Sequence, residues 1–424
     1  MSVNKNRKML GRIVVKFGGT SLANGLGIFH AAESVIKKAK QGVQVVVIVS
    51  AMGKSTDALI ETTRQACEGS GSNVDLDDVV AMGERISARI FSATLKAQGI
   101  HSHYLDPSHQ DWPIITDDNF GNASPILPVC EKLIKHHVQP LLEKGVMVVV
   151  PGFIGRTEDG RTTTMGRGGS DITAFVLAQA LSADLILLVT DVQGILTADP
   201  KIIKNPRKLN EISIDNLIGL ADSGTKFIHK KALKYKTPKI DVKVVSNASS
   251  DLDLDGTLIR GGFPQNLLVE SHPDPATAIT IVGRDLSESP QTLFRIFSEI
   301  SKADAHLLGM SVNHNSIILY LPSKAAEGIL ESIHSIVVSD EKTQAMAVKK
   351  DLTFVRVKGV GLEDTPGVVS NITKALNSEG VNIYGIFTIT SSVMIFVDFK
   401  DEEKTVRLME KTLTMNHNGQ FKAL

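Results

Sequence analysis

The sequence predicts an α/β chain, a mainly parallel sheet sandwiched by helices and followed by two ferredoxin-like units. Three observations predict it. Apolar, β-branched runs such as Val43 to Val49 and Leu185 to Val189 alternate with helical patterns, as strands buried on both faces of a parallel sheet do. Glycine turns follow several of these runs at once, at Gly18-Gly19, Gly53 and Gly152. From Ala278 onward the order of strand and helix patterns repeats, which marks a duplicated supersecondary unit. A chain of 424 residues is also too long for one core and divides into domains.

Composition narrows the class of function. Lys plus Arg (46) equals Asp plus Glu (46), so no net field draws in nucleic acid or an anionic membrane. Cys67 and Cys130 stand apart without CxxC spacing, which argues against a disulfide framework or a zinc site. His101 with His103, and His136 with His137, lack further ligands in register, so no metal site is expected. Met1 to Leu10 has no apolar core, and no apolar run reaches membrane-spanning length; a cytoplasmic protein is the expectation.

Taken in order, Arg12 to Phe17 reads as a strand running into Gly18-Gly19-Thr20-Ser21, then a helix with Ile28, Ala31, Ala32, Val35 and Ile36 near one face. With Val43 to Val49 this makes a βαβ unit. Gly53-Lys54-Ser55 imitates the end of a phosphate-binding P-loop, but the glycine that motif requires at position 48 is Ile48, so a P-loop is rejected. Thr56 and Asp57 read as caps of the next helix. Leu76 to Ala97 is a long helical pattern in which Glu84 sits among small and apolar neighbours; the pattern alone favours a solvated Glu84 over a buried ligand group. The irregular stretch His101 to Gly121, with Trp112, reads as a lid or a packing loop.

Gly152 to Asp171 is the segment richest in chemistry. It joins the strand Val146 to Val150 to the helical run Ile172 to Leu181. Gly168 and Gly169 permit a tight turn with free N–H groups, Ser170 and Asp171 suit an N-cap, Arg167 adds a guanidinium and Thr162 to Thr164 add hydroxyl donors. Together these make an anion site at a helix N-terminus. Thr190-Asp191 then closes the strand Leu185 to Val189, ahead of the loop through Leu196 and Lys201 and the helix carrying Lys226 and Phe227. Gly256 to Pro264 leads to a boundary near Ser271 to Thr277. Beyond it, strands and helices read as two βαββαβ units, with the turn Asp364-Thr365-Pro366-Gly367 in the second.

Val15-Lys16-Phe17-Gly18-Gly19-Thr20-Ser21 resembles the opening signature of aspartate kinases in the amino-acid kinase superfamily. Thr162 to Asp171 is similar to their second signature, and Thr190-Asp191-Val192 with Asp199-Pro200 to their nucleotide loop. The C-terminal repeat resembles their tandem ACT domains. The resemblance implies an amino-acid kinase domain over residues 1–270, ACT domains over 278–348 and 352–424, and phosphorylation of the L-aspartate side chain from ATP with Mg²⁺. It further implies Lys16, Arg167 and Asp171 as catalytic residues, with Thr56, Glu84, Arg167, Ser170 and Asp171 around aspartate. Lys16, Gly18, Gly19, Thr190, Asp191, Leu196, Lys201, Lys226 and Phe227 would line the nucleotide, Gly18 and Gly19 through their N–H groups. Leu196 and Lys201 stand where relatives often carry tyrosine and arginine, and His229-Lys230 replaces a His-Pro pair. The ACT pair implies a homo-oligomer, a dimer or dimer of dimers, and feedback by an amino acid, lysine first and threonine second. A glutamate-type kinase of the same superfamily and a catalytically silent amino-acid sensor are the competing readings.

Overall fold

The computed structural model describes residues 11–222, 228–248, 251–253, 255–262, 267–359, 362, 366–389 and 391–413. The chain divides into two units, Met1–Gln265 and Asn266–Leu424.

The first unit opens with β1 (Arg12–Phe17), α1 (Gly25–Lys40), β2 (Gln44–Val49), α2 (Ser55–Ala66) and α3 (Asn73–Ala97). There follow β3 (Ser102–Tyr104), α4 (Leu127–Leu133), α5 (Gln139–Glu143) and β4 (Met147–Pro151). A ribbon of β5 (Ile154–Arg156) and β6 (Thr162–Thr164) leads to α6 (Gly169–Ala180) and β7 (Leu185–Thr190). The unit closes with β8 (Glu211–Ser213), α7 (Ile214–Asp222), α8 (Lys230–Leu233), β9 (Asp241–Ser246) and β10 (Thr257–Arg260). Among the described residues the main sheet runs β3-β4-β2-β1-β7-β9-β10-β8. It is parallel from β3 to β9, and β10 turns antiparallel against β9.

Side-chain alternation sorts this sheet into two buried faces. Ile13, Val15 and Phe17 of β1 and Val45, Val47 and Val49 of β2 pack with Val35 of α1 and Phe91 of α3. The alternate residues, Val14, Val46 and Ile48, are buried on the other face. With both faces covered, β2 has no polar residue after Gln44, as a central parallel strand requires. The chain leaves β1 toward β2 on one side and returns at β7 on the other, so the topological switch point, where open α/β sheets bind ligands, lies at the C-terminal end of β1. Trp112 is fully buried and its indole N–H donates to the Ile114 carbonyl at 2.9 Å; this part of the 101–121 stretch is a packing loop.

The second unit begins with β11 (Leu268–Ser271), β12 (Ala276–Gly283), α9 (Pro290–Lys302), β13 (Gly309–Val312), β14 (Ser316–Pro322) and α10 (Ser323–Ser339). It continues with β15 (Thr343–Lys358), α11 (Val368–Ser378), β16 (Gly385–Ile389), β17 (Ser392–Asp398) and α12 (Glu402–Thr412). Two strands were expected near Met346 and over Phe354 to Val357; β15 is one strand of 16 residues. Its pairing with β12 slips one residue between Leu352 and Lys349, where Asp351 has φ +58°. That is a bulge, which bends a strand without ending it.

β15 joins both halves of this sheet. The first half orders β13-β14-β12-β15, and the second pairs β15 with β17, β17 with β16 and β11 with β15. The expectation of two consecutive units is therefore revised: β11, which precedes the first repeat, supplies an edge strand to the second. The same pairing moves the expected domain boundary at 270 upstream of β11. Only four residues long and half exposed, β11 carries little local strand signal, and its pairing with a strand about ninety residues downstream is non-local. The halves also meet face to face, with Tyr320 of β14 stacked on Phe396 of β17 at 3.9 Å and the Tyr320 hydroxyl donating to the Tyr384 carbonyl at 2.7 Å.

Candidate active site

Alternation on β1 decides the direction of Lys16. Val15 and Phe17 face α1 and α3, so Lys16 points to the opposite face, where α6 packs across β1 and β7. Its Nζ lies 2.7 Å from Asp171 Oδ1, and the two side chains keep 17% and 10% of their exposure. The pair borders the crevice at the switch point rather than the core. Asp171 lies in the first turn of α6, where the helix dipole also favours a carboxylate.

The N-cap of α6 differs from expectation. Gly168, with φ +79°, occupies it, and Ser170 and Asp171 stand inside the first turn. A Cβ at Gly168 would also lie 2.6 Å from His229 Cβ, so this position needs glycine for both backbone and space. The Ser50 hydroxyl donates to Ser170 Oγ at 3.0 Å, tying the loop after β2 to α6. Arg167, just outside the helix, is exposed, and among the described residues no hydrogen bond or ion pair engages it.

Glu84 is buried, which decides between its two sequence readings. It is 4% exposed, and Oε1 accepts the Ala51 N–H at 3.0 Å while Oε2 is buried without a partner among the described residues. Burial pushes its carboxyl up to about 7, against the opposing pull of the Ala51 N–H. Its neighbour Arg85 turns away to Asp106 at 2.9 Å. The Ser55 hydroxyl is likewise buried and, among the described residues, unpartnered. Thr56, half-buried, adjoins it in the first turn of α2, whose N-cap is Lys54 rather than Thr56.

On the β7 side, Gly18 departs from expectation. Its N–H donates to the Val189 carbonyl at 3.1 Å and is not free for an anion. Gly19 opens the short 3₁₀ turn Gly19–Leu22, whose leading N–H groups have no partner within the turn. A Cβ at Gly19 would sit 2.7 Å from the Ala51 carbonyl oxygen, so glycine lets the β1 and β2 turns touch. The Thr190 hydroxyl donates to Asp191 Oδ1 at 3.1 Å, and the Thr190 carbonyl accepts the Asn247 N–H at 2.7 Å. Leu196 bridges to Lys208, and Lys201 lies on an exposed turn with its N–H on Asp199 Oδ1 at 2.8 Å. Among the described residues no hydrogen bond or ion pair joins Leu196 or Lys201 to Lys16, Gly18 or Gly19. Lys226 and Phe227 lie outside the described residues, as do Asp364 and Thr365.

The threonine run does not donate to a ligand as expected. Thr163 Oγ1 hydrogen-bonds Thr116 Oγ1 at 2.6 Å, and the Thr164 hydroxyl donates to Asp77 Oδ1 at 2.6 Å. Asp77, 2% exposed, also accepts the N–H groups of Thr164 and Gly121, at 2.7 and 2.8 Å. Burial raises its carboxyl above the ordinary range, opposed by these hydrogen bonds. The sequence signal for Asp77 was an acidic residue inside an apolar helical pattern, the same signal that Glu84 carries. Among the described residues no group of three His, Cys, Asp or Glu side chains could hold a metal ion, and no helix is long and apolar enough to cross a membrane.

The Lys16–Asp171 pair thus stands beside the Gly19 turn, which meets the Ala51 loop after β2, and that loop also holds the buried Glu84 carboxylate; Arg167 lies exposed just ahead of α6, with no hydrogen bond or ion pair among the described residues. Comparison with known proteins finds relatives over nearly the whole chain. The amino acid kinase family matches residues 11–246 and the ACT domain family residues 347–411. Aspartokinase 2 of Bacillus subtilis (strain 168) is 33% identical over 425 residues, covering 96% of this chain and 98% of its own. The aspartate kinase structure from Synechocystis has a TM-score of 0.75 and 27% identity, over 94% of this chain and 69% of that one. E. coli aspartokinase III in complex with aspartate and ADP, at TM-score 0.54 and 24% identity over 94% and 99% of the two chains, shares the fold.

Proposed function

Because the chain belongs to the amino acid kinase family, and within it to the aspartokinases, we propose that it transfers the γ-phosphoryl group of ATP to the side-chain carboxylate of L-aspartate. The product is 4-phospho-L-aspartate, an acyl phosphate that would open an aspartate-derived amino-acid pathway. The observation that carries this reading is the Lys16–Asp171 pair at the C-terminal end of β1, linked to the buried Glu84 carboxylate through the Ser50–Ser170 hydrogen bond and the Ala51 N–H, with Arg167 exposed just ahead of α6.

The chemistry asked of these residues is charge management. The aspartate side chain ionises near pH 4, so at neutral pH the nucleophile needs no general base. Its oxygen forms a bond to the γ-phosphorus while the bond from that phosphorus to the β-bridging oxygen breaks, and ADP departs with the electron pair. Two anions must be brought together, which positioning and fixed cations achieve. Lys16, oriented by Asp171, neutralises charge on the transferring group. Gly19 offers backbone N–H to phosphate oxygens, and Thr190, Asp191, Leu196, Lys201, Lys226 and Phe227 remain the proposed nucleotide side.

Arg167 would fork onto a carboxylate of the substrate, a bidentate task suited to guanidinium. Glu84, with an unpaired oxygen, would take the substrate ammonium, and Thr56 and Ser170 complete that pocket. A free buried carboxylate oxygen next to a helix start is what a cationic group completes. Bound Mg²⁺ would be held chiefly by phosphate oxygens and water, with Asp191 as the available carboxylate, and supplies further charge neutralisation.

Feedback through the ACT region is the finer part of the reading, supported by the ACT match over 347–411; lysine is the first effector to try and threonine the second. Assembly into a dimer or dimer of dimers through that region belongs to the same proposal. The test is trapping of the product as a hydroxamate, with ATP, Mg²⁺ and a panel of amino acids, then with lysine, threonine or methionine added singly. Aspartyl hydroxamate is the expected product. Turnover of glutamate but not aspartate, or amino-acid binding without turnover, would overturn the reading.

A further inference from the structure

A half-buried cation reaches the turn that carries Arg167. Lys231, on α8, directs Nζ at Asn122 Oδ1 (2.7 Å) and at the carbonyl oxygens of Met165 (2.8 Å), Ala123 (3.0 Å) and Asn122 (3.1 Å). No carboxylate is within ion-pairing distance among the described residues; the ammonium is matched by carbonyl and amide dipoles alone. The contacts join α8 to two other pieces of chain, the Asn122–Ala123 loop and Met165. Met165 precedes the Gly166-Arg167-Gly168 turn, and Ala123 is itself held to β6 through its N–H on the Thr164 carbonyl at 2.9 Å. A Cβ on Gly166 would meet the Gly121 carbonyl oxygen at 3.0 Å and Asn122 Oδ1 at 3.1 Å, so the two loops already touch.

We propose that Lys231 is a positioning residue that fixes the Met165–Gly168 turn, and through it the guanidinium of Arg167, by tying that turn to the Asn122–Ala123 loop and to α8 with one ammonium group. The role rests on the reading of Arg167 as the arginine that grips aspartate. An arrangement of four oxygens around one cation is also how a protein holds a small monovalent ion, so the lysine head group stands in for such an ion on a covalent tether. Burial drawing the ammonium down to about 8, with Asp117 opposing and Lys234 adding to the shift, agrees with a charge held by dipoles rather than by a partner anion.

The experiment compares the full-length parent with Lys231→Ala, Lys231→Met and Asn122→Ala in the hydroxamate assay, with thermal melts of each. Loss of a charge-assisted hydrogen-bond set should raise the KM for aspartate by about tenfold or more in both lysine variants. The KM for ATP should change far less. Ammonium chloride, but not choline chloride at equal concentration, should restore part of the lost aspartate affinity in Lys231→Ala, which leaves room for the ion. A merely structural lysine would give a lowered melting temperature without that ion-specific rescue. Asn122→Ala, on an exposed loop, should shift the KM for aspartate the same way by a smaller factor. Folded lysine variants with an unchanged KM for aspartate would overturn the proposal, as would lysine variants that fail to fold alongside an Asn122→Ala enzyme with parental KM. A parent inactive on aspartate would instead overturn the functional reading beneath it.

Discussion

Lys16 Nζ and Asp171 Oδ1, 2.7 Å apart, join the central strand of the sheet to the first turn of α6. Neither residue alone makes the site. β1 supplies the cation at the switch point, and the α6 start supplies the carboxylate that orients it. Lys16→Met should keep the fold, since the stem still packs, and lower kcat by about a thousandfold, the scale on which preorganised charge acts in transfer reactions. The KM for aspartate should move little. A hydroxamate assay that finds kcat within tenfold of the parent removes Lys16 from the chemistry.

Glu84 should make stability and activity pull in opposite directions. Its folded-state value of about 7 lies above the ordinary 4.5, so the neutral form is favoured by folding. Stability from this group is full below about pH 4.5 and is lost as pH rises through 7, by up to about 3 kcal/mol. Glu84→Gln should therefore melt higher than the parent at pH 8, with the gap closing toward pH 5. The same variant should lose aspartate binding, and in the parent the KM for aspartate should fall as pH rises through about 7. A parent KM that is flat from pH 6 to 8 contradicts an ionised Glu84 holding an ammonium group.

Arg167 should behave as a ligand-facing residue with no structural duty. With no partner among the described residues, its replacement by alanine should change stability by less than about 0.5 kcal/mol. The KM for aspartate should rise by about a hundredfold, and Arg167→Lys should recover only part of it because an ammonium cannot fork. Steady-state kinetics beside a denaturant melt separates the two effects; a large loss of stability would show that the side chain serves the fold.

Asp77 should show the reverse pattern. Removing its carboxylate leaves the Thr164 and Gly121 N–H groups and the Thr164 hydroxyl without their acceptor. Buried donors left unpaired cost about 1–3 kcal/mol each, so Asp77→Ala should destabilise the first unit by about 3 kcal/mol after partial relaxation. Urea unfolding followed through that unit measures it. A loss under 1 kcal/mol would mean that water replaces the carboxylate.

Local pattern made much of this protein legible. The strand Arg12–Phe17 and the helix Glu402–Thr412 fall where periodicity predicts them, because short-range spacing of apolar residues reports directly which element buries a face. Arg167 and Asp171 were visible as charged residues beside a glycine turn, whereas Lys16 stood out only through the resemblance of its strand and turn to a family signature. Other features depended on residues far away in sequence. Glu84 and a solvated glutamate look alike until α3 packs against the Ala51 loop, and only that packing turns the carboxylate inward. Thr163 and Thr164 are good ligand donors in any local reading, yet β6 faces them toward Thr116 and Asp77. β11 has too little apolar alternation to announce itself and becomes a strand only because β15 offers an open edge. Periodicity names an element and its apolar face, whereas the partner that a polar side chain meets is set by which distant segments the core brings together.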